Sequence, residues 1–184
     1  MRVIMMAAVV PALMLAACQQ AEAPPAGNAA GAGTEAPTQT GGAPAAATPA
    51  LWNGGQAKPL DIQVAHPNGT VLQLTSIQSR QTDTAVGIRV INGRDDEIEL
   101  NSFPNNRKGF LLLDTGERLY LSPPATNAKL AVPAGQTFEG ELVFTGRLPA
   151  AKSATLMLNE DASTSSEYSS RPGFRIDLPL GGAQ

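Results

Sequence analysis

The chain has 184 residues, with 13 lysines and arginines against 16 aspartates and glutamates, which gives a net charge of −3. This weakly acidic balance, with no basic run longer than Arg107-Lys108, excludes the phosphate-neutralising surface that nucleic-acid binding needs. The sequence contains one cysteine and one histidine, which are too few ligands for a zinc site built from these residue types.

The histidine, His66, precedes Pro67 and Asn68 in a predicted turn. A Ser-His-Asp hydrolase would have to be built on this residue, and no Gly-x-Ser-x-Gly motif accompanies it. We therefore predict that His66 is a solvated turn residue, that the protein is not an enzyme, and that it holds no cofactor.

The N-terminal segment carries Arg2, then an apolar run from Val3, and ends in Leu15-Ala16-Ala17-Cys18. The run is shorter than the ~20 residues that cross a bilayer, which favours a signal peptide. The final string resembles the lipobox of bacterial lipoprotein precursors. That resemblance implies cleavage between Ala17 and Cys18, removal of residues 1–17, and attachment to the membrane through acyl chains on Cys18. The alternative is an ordinary secretory signal that happens to be followed by a cysteine.

The residue after the cysteine is Gln19. Lipoproteins retained at the inner membrane commonly carry aspartate at this position. The resemblance therefore implies the outer membrane of a Gram-negative cell, with the folded part in the periplasm or at the surface.

Residues 18–57 form a predicted linker behind the cysteine. Its composition is dominated by alanine, glycine, proline, threonine and glutamine. Such a stretch cannot bury enough apolar surface to offset the entropy of ordering, so we predict a disordered tether. Leu51 and Trp52 depart from this composition. We expect them to pack the end of the linker onto the domain, with an exposed aromatic contact as the alternative.

Residues 58–184 show the alternating apolar pattern of β-strands, and no window shows a convincing helical period. We predict an all-β fold, an immunoglobulin-like antiparallel β-sandwich of about 7–9 strands, with a small β-barrel as the alternative. The nine apolar segments on which this rests are 60–64, 71–77, 86–90, 98–100, 110–113, 118–121, 138–144, 155–158 and 174–178.

Three sites carry the residues of tight turns. They are Pro67-Asn68-Gly69, Asn92-Gly93 and Asp114-Thr115-Gly116. Asparagine and glycine tolerate positive φ, so each site predicts a short connection between antiparallel strands.

Four strings carry a second resemblance. They are Val86-Gly87-Ile88-Arg89-Val90-Ile91-Asn92, Phe110-Leu111-Leu112-Leu113-Asp114-Thr115-Gly116, Val132-Pro133-Ala134-Gly135-Gln136 and Gly140-Glu141-Leu142-Val143-Phe144. Their order is similar to that of the telokin-like, immunoglobulin-like extracytoplasmic domains that follow lipoprotein linkers. The resemblance covers roughly residues 60 to 160. It implies extracytoplasmic display and transfers no catalytic residue.

An acidic cluster follows the Asn92-Gly93 site. Asp95, Asp96 and Glu97 are carboxylates of the kind that bind calcium, although their spacing matches no EF-hand loop and Arg94 precedes them. We note them as a weak calcium candidate, with a solvated turn as the alternative.

Two irregular segments carry residue types that are enriched at binding hot spots. Tyr168 and Arg171 lie in the polar stretch from Asn159 to Pro172, and Phe103 and Arg107 form a second pair. Connections of that length are usually either functional or disordered, so the alternative for the polar stretch is a mobile, inert loop. We expect these four residues to be the candidate partner contacts.

Two functions agree with these features. The first is a membrane-anchored envelope lipoprotein, not an enzyme, that displays a β-sandwich for interaction with an envelope protein or a cell-surface component. The second is a tethered module that binds a small ligand, a glycan or calcium.

Overall fold

The computed structural model describes residues 50–181. The predicted signal peptide, Cys18 and the linker as far as residue 49 lie outside the described residues. Within 50–181 no helix is long and apolar enough to cross a membrane.

The described chain is built from β-strands and three short 3-10 helices, at Trp52–Gly55, Asn106–Lys108 and Ala125–Asn127. The strands are β1 (Lys58–Ala65), β2 (Thr70–Ser79), β3 (Asp83–Asn92), β4 (Ile98–Glu99), β5 (Phe110–Leu113), β6 (Arg118–Tyr120), β7 (Ala131–Val132), β8 (Thr137–Thr145), β9 (Ser153–Leu158) and β10 (Phe174–Pro179).

These strands form antiparallel sheets. One four-stranded sheet has the order β1-β2-β3-β8, the second has the order β10-β9-β5-β6, and β4 pairs with β7. The sheets do not close into a barrel, so the all-β fold is confirmed and the arrangement agrees with a β-sandwich. Strands β2 and β3 are neighbours in one sheet, whereas the second and third strands of a constant-type immunoglobulin domain lie in different sheets.

The core lies between the two four-stranded sheets. Strand β10 alternates buried and exposed residues along its length, as a strand with one inward face should. Leu72 and Leu74 from the first sheet and Leu156 and Leu158 from the second are fully buried in one apolar cluster. Burial of the inward rows of both sheets is the main apolar contribution to stability.

Trp52 belongs to the same cluster, with 2% of its surface exposed. The Lys58 ammonium lies over the Trp52 ring, with Nζ 5.9 Å from the ring centroid. The prediction that the end of the linker packs onto the domain is confirmed for Trp52. The packed part of the chain therefore begins before β1.

Two of the three predicted tight turns are confirmed. Gly69 connects β1 to β2 with a φ of 89°, and Gly116 connects β5 to β6 with a φ of 86°. The prediction for Asn92-Gly93 is wrong, because β3 pairs with β2 and β8 and the chain leaves the sheet there. Glycine is needed at position 93 for close approach, since a Cβ atom would lie 2.7 Å from the Gly69 carbonyl oxygen.

Candidate functional site

The segment 159–172 leaves β9 and returns to β10 at one end of the sandwich, and its two ends are joined by Asn159. This residue is 2% exposed and has a φ of 50°. Its Nδ2 donates to the carbonyls of Glu99, at 2.9 Å, and Pro172, at 3.1 Å. Its Oδ1 accepts a hydrogen bond from Ser102 Oγ at 3.0 Å. The amide of one buried side chain therefore holds both ends of the segment against the neighbouring connection.

His66 attaches the middle of the segment to the β1–β2 turn. Its Nδ1 accepts the Asn68 backbone N–H at 3.2 Å, which assigns the ring proton to Nε2, 3.1 Å from the Ser163 carbonyl oxygen. The ring is 5% exposed and lies 5.6 Å from that of Phe174. The prediction of a solvated turn histidine is wrong, because segment 159–172 folds over this turn and buries it.

Two further side chains hold carbonyl groups in the second half of the segment. Asn68 Nδ2 donates to the Ser169 carbonyl at 2.9 Å, and Arg94 donates to the Glu167 carbonyl at 3.0 Å. Together with His66, these two residues form hydrogen bonds to three carbonyl groups of the segment. The alternative interpretation of this segment was a mobile, inert loop. Because its main-chain groups are bonded to other elements, the segment has the contacts of an anchored loop.

Tyr168 lies between the two fixed carbonyls of Glu167 and Ser169. Its side chain is 87% exposed. The backbone on either side is held while the ring projects into solvent. The structure thus presents an exposed aromatic side chain on an anchored support.

Arg171 lies in the same segment and is engaged in an ion pair. Its Nε is 3.0 Å from one oxygen of Glu99, and Lys129 Nζ is 2.7 Å from the other. The hydrogen bond from Lys129, followed by its charge and the contacts of Arg171, lowers the pKa of Glu99. Just over half of the Arg171 side chain remains exposed. This predicted contact residue therefore also fastens the loop that carries it.

The second predicted pair lies on the neighbouring connection between β4 and β5. Phe103 is 49% exposed, and Arg107 is exposed with its guanidinium carbon 5.4 Å from the centroid of the Tyr120 ring. This connection is bound to segment 159–172 through Asn159 and by the hydrogen bond from Glu160 N–H to the Lys108 carbonyl at 3.0 Å. The two pairs predicted separately from the sequence therefore lie on adjoining segments.

Tyr120, Phe110 and Arg118 were not predicted as part of this region. Phe110 and Tyr120 pair across β5 and β6, with ring centroids 6.1 Å apart. Arg118 lies over the Phe110 ring at 4.3 Å and pairs with Glu160 at 3.4 Å. Phe110 is 1% exposed although it lies outside the main apolar cluster. The run Phe110–Leu113 signals a buried strand, and its sequence does not reveal that Phe110 packs on the outer side under an arginine.

The carboxylates of the acidic cluster do not form a metal-binding group. Asp95, Asp96 and Glu97 are exposed, and Asp96 pairs with Arg94 at 3.6 Å. Across residues 50–181, no three histidine, cysteine, aspartate or glutamate side chains form a group that could hold a metal ion. The three carboxylates of the weak calcium candidate therefore form no such group.

Comparisons with known proteins give a distant likeness in fold. No protein-family model matches the chain, and no curated protein matches it. The chain is similar to the crystal structure of a functionally unknown protein from Listeria monocytogenes EGD-e, at 14% sequence identity and a TM-score of 0.42. That match covers 71% of this chain and 90% of the other. No statement about function follows from it.

Proposed function

We propose that the protein is a lipoprotein of the bacterial envelope, not an enzyme, that binds an envelope protein or a cell-surface component. The contact is made at the end of the sandwich that carries Tyr168. The observation that carries this proposal is the 87% exposure of Tyr168 on a backbone held by His66, Asn68 and Arg94. An anchored loop loses less conformational entropy on binding than a mobile one, and tyrosine supplies a large contact area with few rotatable bonds.

The anchor in this proposal is Cys18, on the strength of the lipobox-like string Leu15-Ala16-Ala17-Cys18. Two or three acyl chains give stable attachment, since each buried methylene contributes about 0.8 kcal/mol and one chain alone binds only marginally. Gln19 supports the outer membrane as the destination.

A role in binding also agrees with the environment of His66. Both ring nitrogens of this residue are engaged by neighbouring main-chain groups, so its role in the proposal is to hold the loop that carries Tyr168. The proposal assigns no catalytic residue.

The anchor is tested by membrane fractionation of a Cys18→Ala variant. We expect the variant to leave the outer-membrane fraction in which the unchanged protein is found. If the variant still partitions quantitatively with outer-membrane vesicles, lipidation of Cys18 does not attach the protein.

The contact is tested by chemical cross-linking in whole cells that express either the unchanged chain or a Tyr168→Ala/Arg171→Ala variant. We expect the variant to lose the cross-linked species. Ile91→Ala is the matched control, because Ile91 is also an exposed apolar residue, at 39%, but lies on β3. Equal cross-linking of the unchanged chain and the double variant would contradict the proposed contact.

A further inference from the structure

Arg107 combines an exposed charge without an ion pair among residues 50–181 with a contact to an aromatic ring. Its guanidinium lies 5.4 Å from the centroid of the Tyr120 ring, within the range of a cation–π contact. Among residues 50–181 it has no carboxylate within ion-pair distance and donates no hydrogen bond to the protein. The in-plane N–H groups that arginine uses to recognise anions are therefore available on an exposed side chain.

The neighbouring cations are already neutralised. Lys108 pairs with Asp161, which raises the pKa of the lysine, and Arg118 pairs with Glu160. The local balance therefore leaves one positive charge, that of Arg107. A single carboxylate would neutralise it, whereas a phosphate group, with close to two negative charges, would add excess charge beside Glu160 and Asp161.

The geometry of arginine favours the same ligand. A guanidinium offers parallel N–H donors that match the two oxygens of a carboxylate, and stacking on an aromatic ring reduces the freedom lost when those bonds form. Phe103, four residues before Arg107 on the same connection, is an apolar side chain that is 49% exposed. Tyrosine, arginine and exposed aromatic residues together are typical of interaction hot spots.

We infer that Arg107 and Tyr120, with Phe103 exposed on the same connection as Arg107, form a binding site for a single aspartate or glutamate side chain in a segment of a partner protein. The inference rests on the proposed function, because it specifies the chemistry of a partner that contacts this end of the sandwich. Arg107 receives the carboxylate, Tyr120 orients the guanidinium, and Phe103 packs against an apolar neighbour in the partner segment.

The test is fluorescence anisotropy with the full chain in detergent and an end-blocked, labelled hexapeptide that has one glutamate among leucine and glycine residues. We expect saturable binding that weakens about tenfold or more when glutamine replaces the glutamate of the peptide or when the protein carries Arg107→Gln. Arg107→Lys retains the charge but lacks the paired donors, and we expect it to bind more weakly than the unchanged chain. Tyr120→Leu should also weaken binding, because it removes the ring beneath the guanidinium.

Arg175→Gln is the matched control, since Arg175 is an exposed arginine on β10 that makes no cation–π contact among residues 50–181. Its binding should equal that of the unchanged chain. Equal binding of the glutamate and glutamine peptides, or equal losses in the Arg107 and Arg175 variants, would overturn the inference. Tighter binding of a phosphoserine–leucine peptide would overturn the carboxylate assignment in favour of a phosphate site. Absence of saturable binding of the glutamate peptide would also overturn the inference. It would leave the cross-linking result at Tyr168 unaffected, so failure of the inference can be distinguished from failure of the proposed function.

Discussion

His66 Nε2 donates a hydrogen bond to the carbonyl of Ser163, 97 residues later in the chain, across 3.1 Å. Through this contact the first turn of the sandwich holds the last long connection, which carries Tyr168. The other ring nitrogen accepts the Asn68 N–H, so one side chain links the turn to the loop. The presentation of Tyr168 therefore depends on a residue that touches no partner in the proposed function.

Replacing His66 with phenylalanine should loosen this connection. The new ring retains the contact with Phe174 but removes both nitrogens, which leaves the Ser163 carbonyl and the Asn68 N–H unpaired. The unpaired Asn68 N–H is buried and costs about 1–3 kcal/mol, and the part-buried Ser163 carbonyl adds less, so we expect a loss of roughly 1–4 kcal/mol in the free energy of unfolding. Urea denaturation measures this loss, and Gln63→Ala, an exposed change on β1, should stay within about 0.5 kcal/mol of the unchanged chain. Equal stabilities of the His66→Phe variant and the unchanged chain would contradict the role given to His66.

Replacing Asn159 separates backbone strain from lost hydrogen bonding. Asn159 has a φ of 50°, which alanine adopts at a cost and glycine adopts freely. Both Asn159→Ala and Asn159→Gly remove the amide that bridges Glu99 and Pro172, so both should destabilise the protein. We expect the alanine variant to be less stable than the glycine variant by about 1 kcal/mol in the free energy of unfolding. If the glycine variant were the less stable of the two, the positive φ at position 159 would not explain why asparagine occupies it.

The pairing of Glu99 predicts how stability depends on pH. Lys129 and Arg171 lower the pKa of Glu99 below its ordinary value of 4.5. A carboxyl group whose pKa is lowered by folding stabilises the protein above the unfolded pKa, and this contribution is lost as pH falls through the folded pKa. Glu99→Gln should therefore be less stable than the unchanged chain at pH 7, and the difference should close below pH 4.5. Urea denaturation at several pH values tests this, and a difference independent of pH would contradict it.

The linker and the tryptophan that ends it should respond differently to change. Residues 26–47 contain no valine, leucine, isoleucine, methionine or aromatic residue, so deleting them should leave the melting temperature of the domain unchanged. Trp52→Ala removes a side chain that is 2% exposed and should cost about 3–5 kcal/mol in the free energy of unfolding. Thermal and urea denaturation compare the two variants. A fall of more than a few degrees in melting temperature for the deletion would show that the linker contributes to the fold.

Strand pattern could be predicted from the sequence because a strand with one buried face repeats every two residues. Nine of the ten strands in residues 50–181 coincide with predicted apolar segments, including β3 and β10. Strand β7, at Ala131–Val132, was missed because two residues are too few to show an alternation. The pairing of β2 with β3 and the order of the sheets depend on distant contacts that no local pattern records.

Less of the site could be predicted. Tyr168 and Phe103 could be predicted, because both are aromatic residues in irregular segments of the sequence. Their exposure follows mainly from that location in the chain. The burial of His66 could not be predicted, because it depends on a segment 97 residues away. The stacking of Arg107 on Tyr120 is likewise hidden, since β5 and a hairpin turn separate the two residues in the chain.

The central claim is that the Tyr168 end of the sandwich makes the contact with a partner, and position-specific photo-cross-linking in living cells tests it most directly. A photoreactive phenylalanine derivative is placed at position 168, at position 91 on the outer face of the first sheet, or at position 63 on the edge strand β1. The account predicts a discrete cross-linked species from position 168 and none from positions 91 and 63. Cross-linking from position 91 or 63, with none from position 168, would contradict it and assign the contact to a sheet face or a sheet edge.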